Sequence, residues 1–344
     1  MAAISLEGVS KRYRDVVAVQ ELDLEIADGE IMMLLGPSGC GKTTVLRLIA
    51  GLERPDAGTV RFDGRNMGEV SPGERDIAMV FEGYALFPHM AVRDNLSFAL
   101  RLRHTPPDEV ERRVADVAEA MELGHLLKRR PPGLATGEAQ HVAVGRAVVR
   151  DAPAALLLDD ALSHLDARQR LEARTEVTRL HDDLGCTVVS VTHDQAEALA
   201  VGSRVTIMQR GVLMQLGSPQ EIWERPANTF VADFIGDPPM NLLPAAAFGA
   251  LDDPGVTIGV RPEHVQLGSP HDSEVGLSGR CELVEYLGPN SLVHLRIGEH
   301  AFSLIEATAS VAVGDSLECR VPRARLQRFD TASGRALGPA SALV

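Results

Sequence analysis

The stretch EIMMLLGPSGCGKTTVLRLIAGL, residues 30–52, decides the fold. An apolar run leads into a glycine-rich turn, and a helical pattern follows until Gly51, a typical helix C-cap residue. Two further apolar runs, AALLLDD at 154–160 and TVVSVTH at 187–193, are bounded by polar residues in the same way. Short strands that alternate with helical patterns predict an α/β domain with a largely parallel sheet.

The turn itself, GPSGCGKT, fits the phosphate-loop pattern G-x-x-x-x-G-K-[ST]. Glycines let backbone N–H groups approach phosphate oxygens, and the following helix adds the positive end of its dipole. Lys42, one of only three lysines, can neutralise phosphate charge, and the Thr43 hydroxyl can ligate Mg²⁺. The residues predicted to hold the nucleotide are Gly36, Pro37, Ser38, Gly39, Cys40, Gly41, Lys42, Thr43 and Thr44. The loop alone does not separate kinases, GTPases and transport ATPases.

Composition limits the partners and the compartment. The 344 residues carry a net charge of −14, which argues against nucleic acid as the main partner. The four cysteines are far apart and show no metal-ligand spacing, as expected for reduced thiols. No secretory signal is expected, and the apolar runs are too short to span a bilayer. A membrane role would therefore require docking onto another subunit.

The pattern changes twice along the chain. Pro106 and Pro107 introduce an amphipathic helical pattern between residues 105 and 127, with Val110, Val114, Val117 and Met121 on one face. The Pro/Gly-rich segment FIGDPPMNLLPA, residues 234–245, indicates a linker, and short alternating runs beyond it predict a small antiparallel β domain. We assign residues 1–237 to the α/β domain, with a helical insert at about 89–150, and residues 238–344 to the β domain.

Further segments are characteristic in combination. LLLDD ends in Asp159 and Asp160, VTHDQAEA places His193 after an apolar run, and Tyr13 lies in KRYRDVVAV. The other segments are VFEGYALFPHM, LATGEAQHVAVGRA, SHLD and VRPEHVQL. Together with the phosphate loop they resemble the ATPase subunits of ABC importers, in particular the maltose-type group with an extra C-terminal domain. The resemblance covers essentially the whole chain.

The resemblance implies an α/β P-loop NTPase domain of the ABC type with a helical insert, followed by a small all-β, OB-like (TOBE-type) regulatory domain. It implies that Tyr13 stacks on adenine and that Asp160 polarises the attacking water. His193 would contact the γ-phosphate and so sense hydrolysis. The implied Mg²⁺ ligands are Thr43, Glu82 and Asp159, and Asp166 would lie in the loop that crosses a dimer interface. The implied signature that closes over the partner's ATP comprises Ala135, Thr136, Gly137 and Glu138.

The resemblance also implies ATP and Mg²⁺ as cofactors and a peripheral place on the cytoplasmic face of the cell (inner) membrane. The implied partners are transmembrane permease subunits, a second ATPase subunit and, indirectly, an extracytoplasmic solute-binding protein. The transported solute would be a carbohydrate, a polyol or a glycerol-type compound.

Several residues depart from the family pattern. Glu82 replaces a glutamine and Asp160 a glutamate. In the signature, Ala135–Thr136 replace a Ser-Gly pair and Glu138 a glutamine. Ala161 and His164 replace a proline and an asparagine. Asp160 is one methylene shorter than glutamate, which moves its carboxylate back by about 1.5 Å, and a displacement near 1 Å can cost about a hundredfold in rate. We therefore expect ATP binding to survive better than hydrolysis.

Two functional hypotheses follow, and they differ in the rate at which the protein hydrolyses ATP. One is a transport ATPase of reduced activity, and the other is a catalytically weak nucleotide-binding subunit that supports an active ATPase partner in a heterodimer. A soluble ABC protein of translation or repair would carry two cassettes or a long coiled-coil insert, which this chain lacks. A P-loop kinase would have no reason to carry VTHDQAEA and VRPEHVQL.

Overall fold

A computed structural model describes residues 2–150, 153–161, 167–249, 253–307 and 311–339. Contacts divide the chain into two compact units, Met1–Pro219 and Gln220–Val344. This division falls earlier in the chain than the predicted boundary after residue 237, which stays a prediction. Among the described residues, no helix combines the length and the apolar character needed to cross a bilayer.

The first unit contains two sheets and six helices in its described part. Its strands are β1 (Ile4–Tyr13), β2 (Val16–Ile26), β3 (Ile31–Leu35), β4 (Ala57–Phe62), β5 (Arg65–Asn66), β6 (Ile77–Val80), β7 (Ala155–Asp159), β8 (Thr187–Thr192), β9 (Arg204–Gln209) and β10 (Val212–Gly217). Its helices are α1 (Lys42–Ala50), α2 (Val92–Leu102), α3 (Pro107–Ala120), α4 (Thr136–Val148), α5 (Ala167–Leu184) and α6 (Gln195–Val201).

A six-stranded sheet forms the centre of the first unit, in the order β10-β9-β3-β8-β7-β6. All its neighbours are parallel except β10, which pairs antiparallel with β9. Every residue of β3, β7 and β8 is buried, which explains their continuous apolar runs. Because these three strands are neighbours and parallel, the segments that follow them meet at one edge of the sheet.

Three of the helices, α2, α3 and α4, lie between β6 and β7 in sequence and correspond to the predicted helical insert. In α3, Val110 and Val114 are buried and Val117 is half-buried. Met121, directly after the helix, is also buried, so the predicted apolar face packs into the core. The helix is shorter than the amphipathic pattern, because Glu122 has a left-handed φ of 56° just after its last turn. A separate sheet, in the order β2-β1-β4-β5, completes the unit and is antiparallel throughout.

The second unit is rich in β structure, as predicted. After α7 (Pro219–Glu224) and α8 (Thr229–Phe234) come β11 (Asn241–Pro244), β12 (Val256–Val260), β13 (Gln266–Leu267), β14 (Glu274–Tyr286), β15 (Ser291–Ile297), β16 (His300–Glu306), β17 (Ser316–Pro322), β18 (Gln327–Asp330) and β19 (Ala336–Pro339). The strands form two antiparallel sheets, β11-β12-β18-β19 and β13-β17-β14-β15-β16. Apolar residues from both sheets share one core, which includes Phe248, Val260, Val293 and Leu304. This is the OB-like fold class expected for the C-terminal part.

Candidate nucleotide site

The phosphate loop begins where β3 ends and needs glycine at two positions. Gly41 has a φ of 109° and directly precedes α1. A Cβ added to Gly41 would lie 2.2 Å from the Ala18 carbonyl oxygen, and one added to Gly36 would lie 2.3 Å from that of Met208. Because these contacts are with backbone atoms, a side chain at either position would force the chain apart.

Lys42 is buried beneath the loop, with 8% of its surface exposed. Its ammonium group donates to the carbonyl oxygens of Gly36, at 2.6 Å, and Pro37, at 3.0 Å. Residues 37–39 form the exposed crest above it. The first N–H groups of α1 have no carbonyl partners within their own helix, as at every helix N-terminus. A fixed cation beside unsatisfied N–H groups is a site for an anion with several oxygens, such as a polyphosphate.

An acidic group lies next to this loop. The Thr43 hydroxyl donates to Asp159 Oδ1 at 2.9 Å, joining residues 116 positions apart in sequence. Burial raises the pKa of the Asp159 carboxyl. The Thr43 hydrogen bond and Arg47 lower this pKa, and the neighbouring carboxylates of Glu82 and Asp160 raise it. A cation bound here would relieve this concentration of negative charge.

Asp160 and His193 meet at the ends of β7 and β8. His193 Nδ1 lies 3.1 Å from Asp160 Oδ2, and the Asp160 N–H donates to the Val191 carbonyl at 3.0 Å. Asp160 has a φ of 49°, which is uncommon for a side chain other than glycine, although Asp tolerates it better than most. Such conformations concentrate at functional sites. Only 21% of the Asp160 side chain is exposed, against 56% for His193, so the imidazole is the more accessible partner.

Tyr13 and Glu82 lie at the borders of this arrangement. Tyr13 ends β1 with 39% of its surface exposed, and the Lys11 ammonium lies 5.4 Å from its ring centroid. Burial raises the pKa of the Tyr13 phenol, Glu53 raises it further, and a hydrogen bond with Thr44 lowers it. Tyr13 is therefore beside the helix that follows the phosphate loop, with an exposed ring. Glu82 follows β6 and is exposed, and its negative charge raises the pKa of the Asp159 carboxyl.

The predicted signature lies at the start of α4. Ala135 is the N-cap residue, and its N–H donates to Glu138 Oε2 at 2.8 Å. Because alanine has no side-chain acceptor, the reciprocal bond of a capping box is missing. Ala135 and Thr136 are exposed, whereas Gly137 and Glu138 are half-buried. Asp166, predicted to lie at a dimer interface, falls outside the described residues.

Sequence reasoning missed Arg146, near the end of α4. Its guanidinium donates to the carbonyl oxygens of Tyr84, at 2.9 Å, and Ala85, at 2.7 Å. Both of these residues have left-handed φ angles, 60° and 47°. Arg146 therefore holds the strained loop that carries Glu82 and ties it to the signature helix. Nothing in the sequence LATGEAQHVAVGRA indicates that Arg146 contacts a loop about 60 residues earlier in the chain.

A second missed group lies behind His193. Asp194 caps α6 by accepting from the Glu197 N–H at 2.9 Å, and it accepts from Arg170 at 2.9 Å and from Arg174 at 3.3 Å. Glu197 is 5% exposed and accepts from the Thr192 hydroxyl at 2.8 Å. Burial raises the pKa of Glu197 to about 7. The apolar neighbours of Glu197 in VTHDQAEA were the available signal, since they place it on a helix that follows a buried strand.

Comparison with known proteins gives two family matches and several close relatives. Residues 19–163 match the ABC transporter family, and residues 258–329 match the TOBE domain. The chain is 44% identical to an sn-glycerol-3-phosphate import ATP-binding protein of Rhizobium johnstonii, over 97% of this chain and 99% of that protein. It is 42% identical to a trehalose/maltose import ATP-binding protein of Thermococcus litoralis, over 98% of this chain and 100% of that protein.

Among solved structures, a dimeric ATP-binding cassette in a post-hydrolysis state with ADP and Pi superposes with a TM-score of 0.58 at 27% identity. The match covers 63% of this chain and 98% of that chain. It covers a whole cassette, while the relatives match the chain from end to end. The chain therefore belongs to the ABC transporter family, as an ATP-binding subunit of its importers and a transport ATPase.

Proposed function

We propose that this subunit binds MgATP at the Gly36–Thr43 loop and that hydrolysis drives uptake of a sugar or an organic phosphate ester through a separate permease. The observation that carries the proposal is the Thr43–Asp159 hydrogen bond beside the buried ammonium of Lys42. It brings a hydroxyl, a carboxylate and a fixed cation together around one loop. Lys42 would exchange its two carbonyl acceptors for phosphate oxygens, and Tyr13 would stack on the adenine.

The oxygen ligands next to the loop suit Mg²⁺. Thr43 and Asp159 offer the hard oxygen donors that this ion prefers, and the crowded carboxylates around Asp159 favour a cation. Glu82 would supply a further carboxylate from the opposite border. No three His, Cys, Asp or Glu side chains cluster as metal ligands in the described part of the chain, so the nucleotide's own oxygens would complete the ligand set. Bound there, Mg²⁺ would neutralise phosphate charge.

The pair Asp160–His193 would act on the water. Asp160 is the group that would orient water and accept its proton, and His193 holds one of its carboxylate oxygens. The exposed imidazole would contact the terminal phosphate and so register its presence. Because Asp160 carries the shorter side chain, we expect slow turnover rather than weak binding.

The partners and the solute follow from the relatives' names. Those names describe import ATP-binding proteins for sn-glycerol 3-phosphate and for trehalose/maltose. We propose that two ATPase subunits, joined through the segment with Asp166 and the signature at 135–138, act on a transmembrane permease. The complex would lie at the cytoplasmic face of the inner membrane, with a solute-binding protein outside. We also propose that residues 238–344 form its separate regulatory domain.

Replacing lysines one at a time tests the nucleotide site. Lys42→Ala should weaken Mg-ATP binding by at least about a hundredfold and stop hydrolysis, because a charge-assisted contact to phosphate is lost. Lys128→Ala is the matched control, since Lys128 is exposed and belongs to no part of the site. Isothermal titration calorimetry with Mg-ATP measures the affinity of both variants. Equal affinities in the two variants would contradict the proposal.

The second candidate is a weak subunit that supports an active partner, and the missing cap at Ala135 together with the short Asp160 favours it. In a homodimer both sites would carry both changes, whereas with an intact partner each site would carry one. We therefore expect a second ATPase subunit to co-purify with the permease. A homodimer reconstituted on the permease should release phosphate well below the roughly 10 s⁻¹ typical of enzymes. Ordinary turnover with uptake of sn-glycerol 3-phosphate or maltose would exclude this candidate.

A further inference from the structure

A cavity of about 580 Å³ lies within the second unit. Its walls are the end of α7, the turn after β12, the segment that leads into β18, and β19. Small-molecule sites in proteins commonly have volumes of roughly 300–1,000 Å³. The cavity is therefore large enough for a metabolite, and none of the nucleotide residues lines it.

The lining is strongly cationic. The basic side chains on the wall are Arg225, Arg261, His264, Arg325 and Arg328. Glu224 is the one carboxylate that accompanies them among the lining residues. The chain as a whole has a net charge of −14, so this concentration runs against its average. We call this space the arginine cavity.

Arg261 is the buried charge of the arginine cavity, with 2% of its surface exposed. Its guanidinium lies 4.1 Å from the centre of the Trp223 ring, and it donates to the carbonyl oxygens of Trp223 and Ile235. Of the described residues, no carboxylate forms an ion pair with it, and its buried Nε has no hydrogen-bond partner. Burial lowers the pKa of Arg261 to about 10, with a small opposite effect of Glu263, so the group stays charged at neutral pH. A buried charge without a counterion is costly.

Arg325 and Arg328 line the same cavity. Arg325 is exposed at the wall and forms no ion pair with a described carboxylate, whereas Arg328 lies 3.6 Å from Asp253. The buried Nδ1 of His264 has no partner among the described residues. Burial lowers the pKa of His264, and Arg325 and Arg261 lower it further against the effect of Glu263. Arg261 and Arg325 therefore place positive charge on the cavity without an ion pair to a described carboxylate.

We propose that the arginine cavity binds a small organic phosphate ester, with its phosphate drawn to Arg261 and Arg325 and its organic part against Trp223. A phosphate carries up to two negative charges and offers several oxygens to the planar fork of a guanidinium. The volume exceeds what an inorganic anion needs, and the indole supplies an apolar wall. This site is independent of the proposed nucleotide site, because no residue is shared.

Trp223 is the single tryptophan of the chain, so its fluorescence reports on the arginine cavity alone. The full-length protein would be titrated with sn-glycerol 3-phosphate, inorganic phosphate, citrate and glycerol. We expect a saturable change with sn-glycerol 3-phosphate, a weaker one with inorganic phosphate, and none with glycerol. Equal affinity for inorganic phosphate would overturn the organic part of the proposal, and tighter binding of citrate would overturn its phosphate part. No response up to about 10 mM, above usual metabolite concentrations at such sites, would overturn it entirely.

Two arginine variants test whether the fluorescence change arises from binding in the arginine cavity. Arg325→Gln should raise the Kd for sn-glycerol 3-phosphate about tenfold, because one charge-assisted hydrogen bond is lost. Arg323→Gln, in the same turn but outside the cavity wall, is the control and should leave the Kd unchanged. Neither change is in the core, since both side chains lie outside the buried set. Equal binding by both variants would contradict the assignment. Retention of the response in Lys42→Ala separates the result from any failure at the nucleotide loop.

Discussion

The phosphate loop and the predicted signature are built in different ways. The phosphate loop is enclosed by backbone: a Cβ added to Gly36 or Gly41 would meet a carbonyl oxygen of a distant strand, and Lys42 is buried. The predicted signature at 135–138 begins a helix with two exposed residues, Ala135 and Thr136, and has one of the two hydrogen bonds of a capping box. The phosphate loop also keeps its motif intact, while the signature departs from the family pattern. Where the backbone is tightly packed, a substitution lowers the stability of the folded chain. An exposed segment can change with little effect on the stability of the monomer.

The largest expected effect comes from comparing alanine substitutions at Gly41, in the phosphate loop, and at Gly137, in the predicted signature. Gly41→Ala should lower the free energy of unfolding by about 4 kcal/mol and abolish nucleotide binding, because its Cβ would meet the Ala18 oxygen at 2.2 Å. Gly137→Ala should change stability by less than about 1 kcal/mol, since its Cβ would meet only Gln169, at 3.7 Å. Urea unfolding measures both. Similar losses in the two variants would break the comparison.

Burial also separates two carboxyl groups near these segments: Glu197 in α6 is 5% exposed, whereas Glu138 of the predicted signature is half-buried. Glu197 has a folded pKa of about 7 against an ordinary 4.5, so the folded state binds its proton more tightly. Stability should therefore fall as the pH rises from about 4.5 to about 7, by up to about 3 kcal/mol. Glu197→Gln should remove this part of the pH dependence and make the protein relatively more stable at pH 8. Urea unfolding at pH 5 and pH 8 tests it, and parallel profiles for both proteins would contradict it.

Asp160, the proposed catalytic carboxylate, tests the comparison through the rate of hydrolysis. Asp160→Glu together with Ala135→Ser and Thr136→Gly should raise phosphate release by up to about a hundredfold, because the carboxylate moves forward and two of the three altered signature positions regain the family residue. Asp160→Asn is the control and should lower the rate further while Mg-ATP still binds. Unchanged turnover in the triple variant would show that these departures do not limit hydrolysis.

The missing cap gives the smallest effect. Ala135→Ser should stabilise the protein by about 1 kcal/mol, since a hydroxyl can accept from an N–H in the first turn of α4. The same change at Ala139, inside the helix, should destabilise by about 0.5 kcal/mol. Thermal unfolding of the two variants compares them directly, and a loss of stability at position 135 would go against the half-capped description.

Much of this molecule was determined by its sequence alone. The apolar runs around residues 31–35, 155–159 and 187–192 predicted the strands, and GPSGCGKT predicted the phosphate loop between a strand and a helix. The alternating pattern after residue 245 predicted the antiparallel sheets. These features follow from local rules, because hydrophobic period and glycine conformation act between neighbours in sequence. The acidic residues at strand ends could be placed for the same reason.

Only the tertiary structure decided which side chains meet. It joined Thr43 to Asp159 and set Arg146 on the loop before α2. It also buried Glu197 and stacked Arg261 on Trp223. Most of these contacts link residues that are far apart in sequence. The hydrophobic period of a helix or strand predicts which side is buried, but not which residue of another segment packs against it. Its strength depends on burial, since charges and hydrogen bonds change in energy when water is removed. Sequence pattern sets the elements, but the packing of those elements sets the distances and the burial on which this chemistry depends.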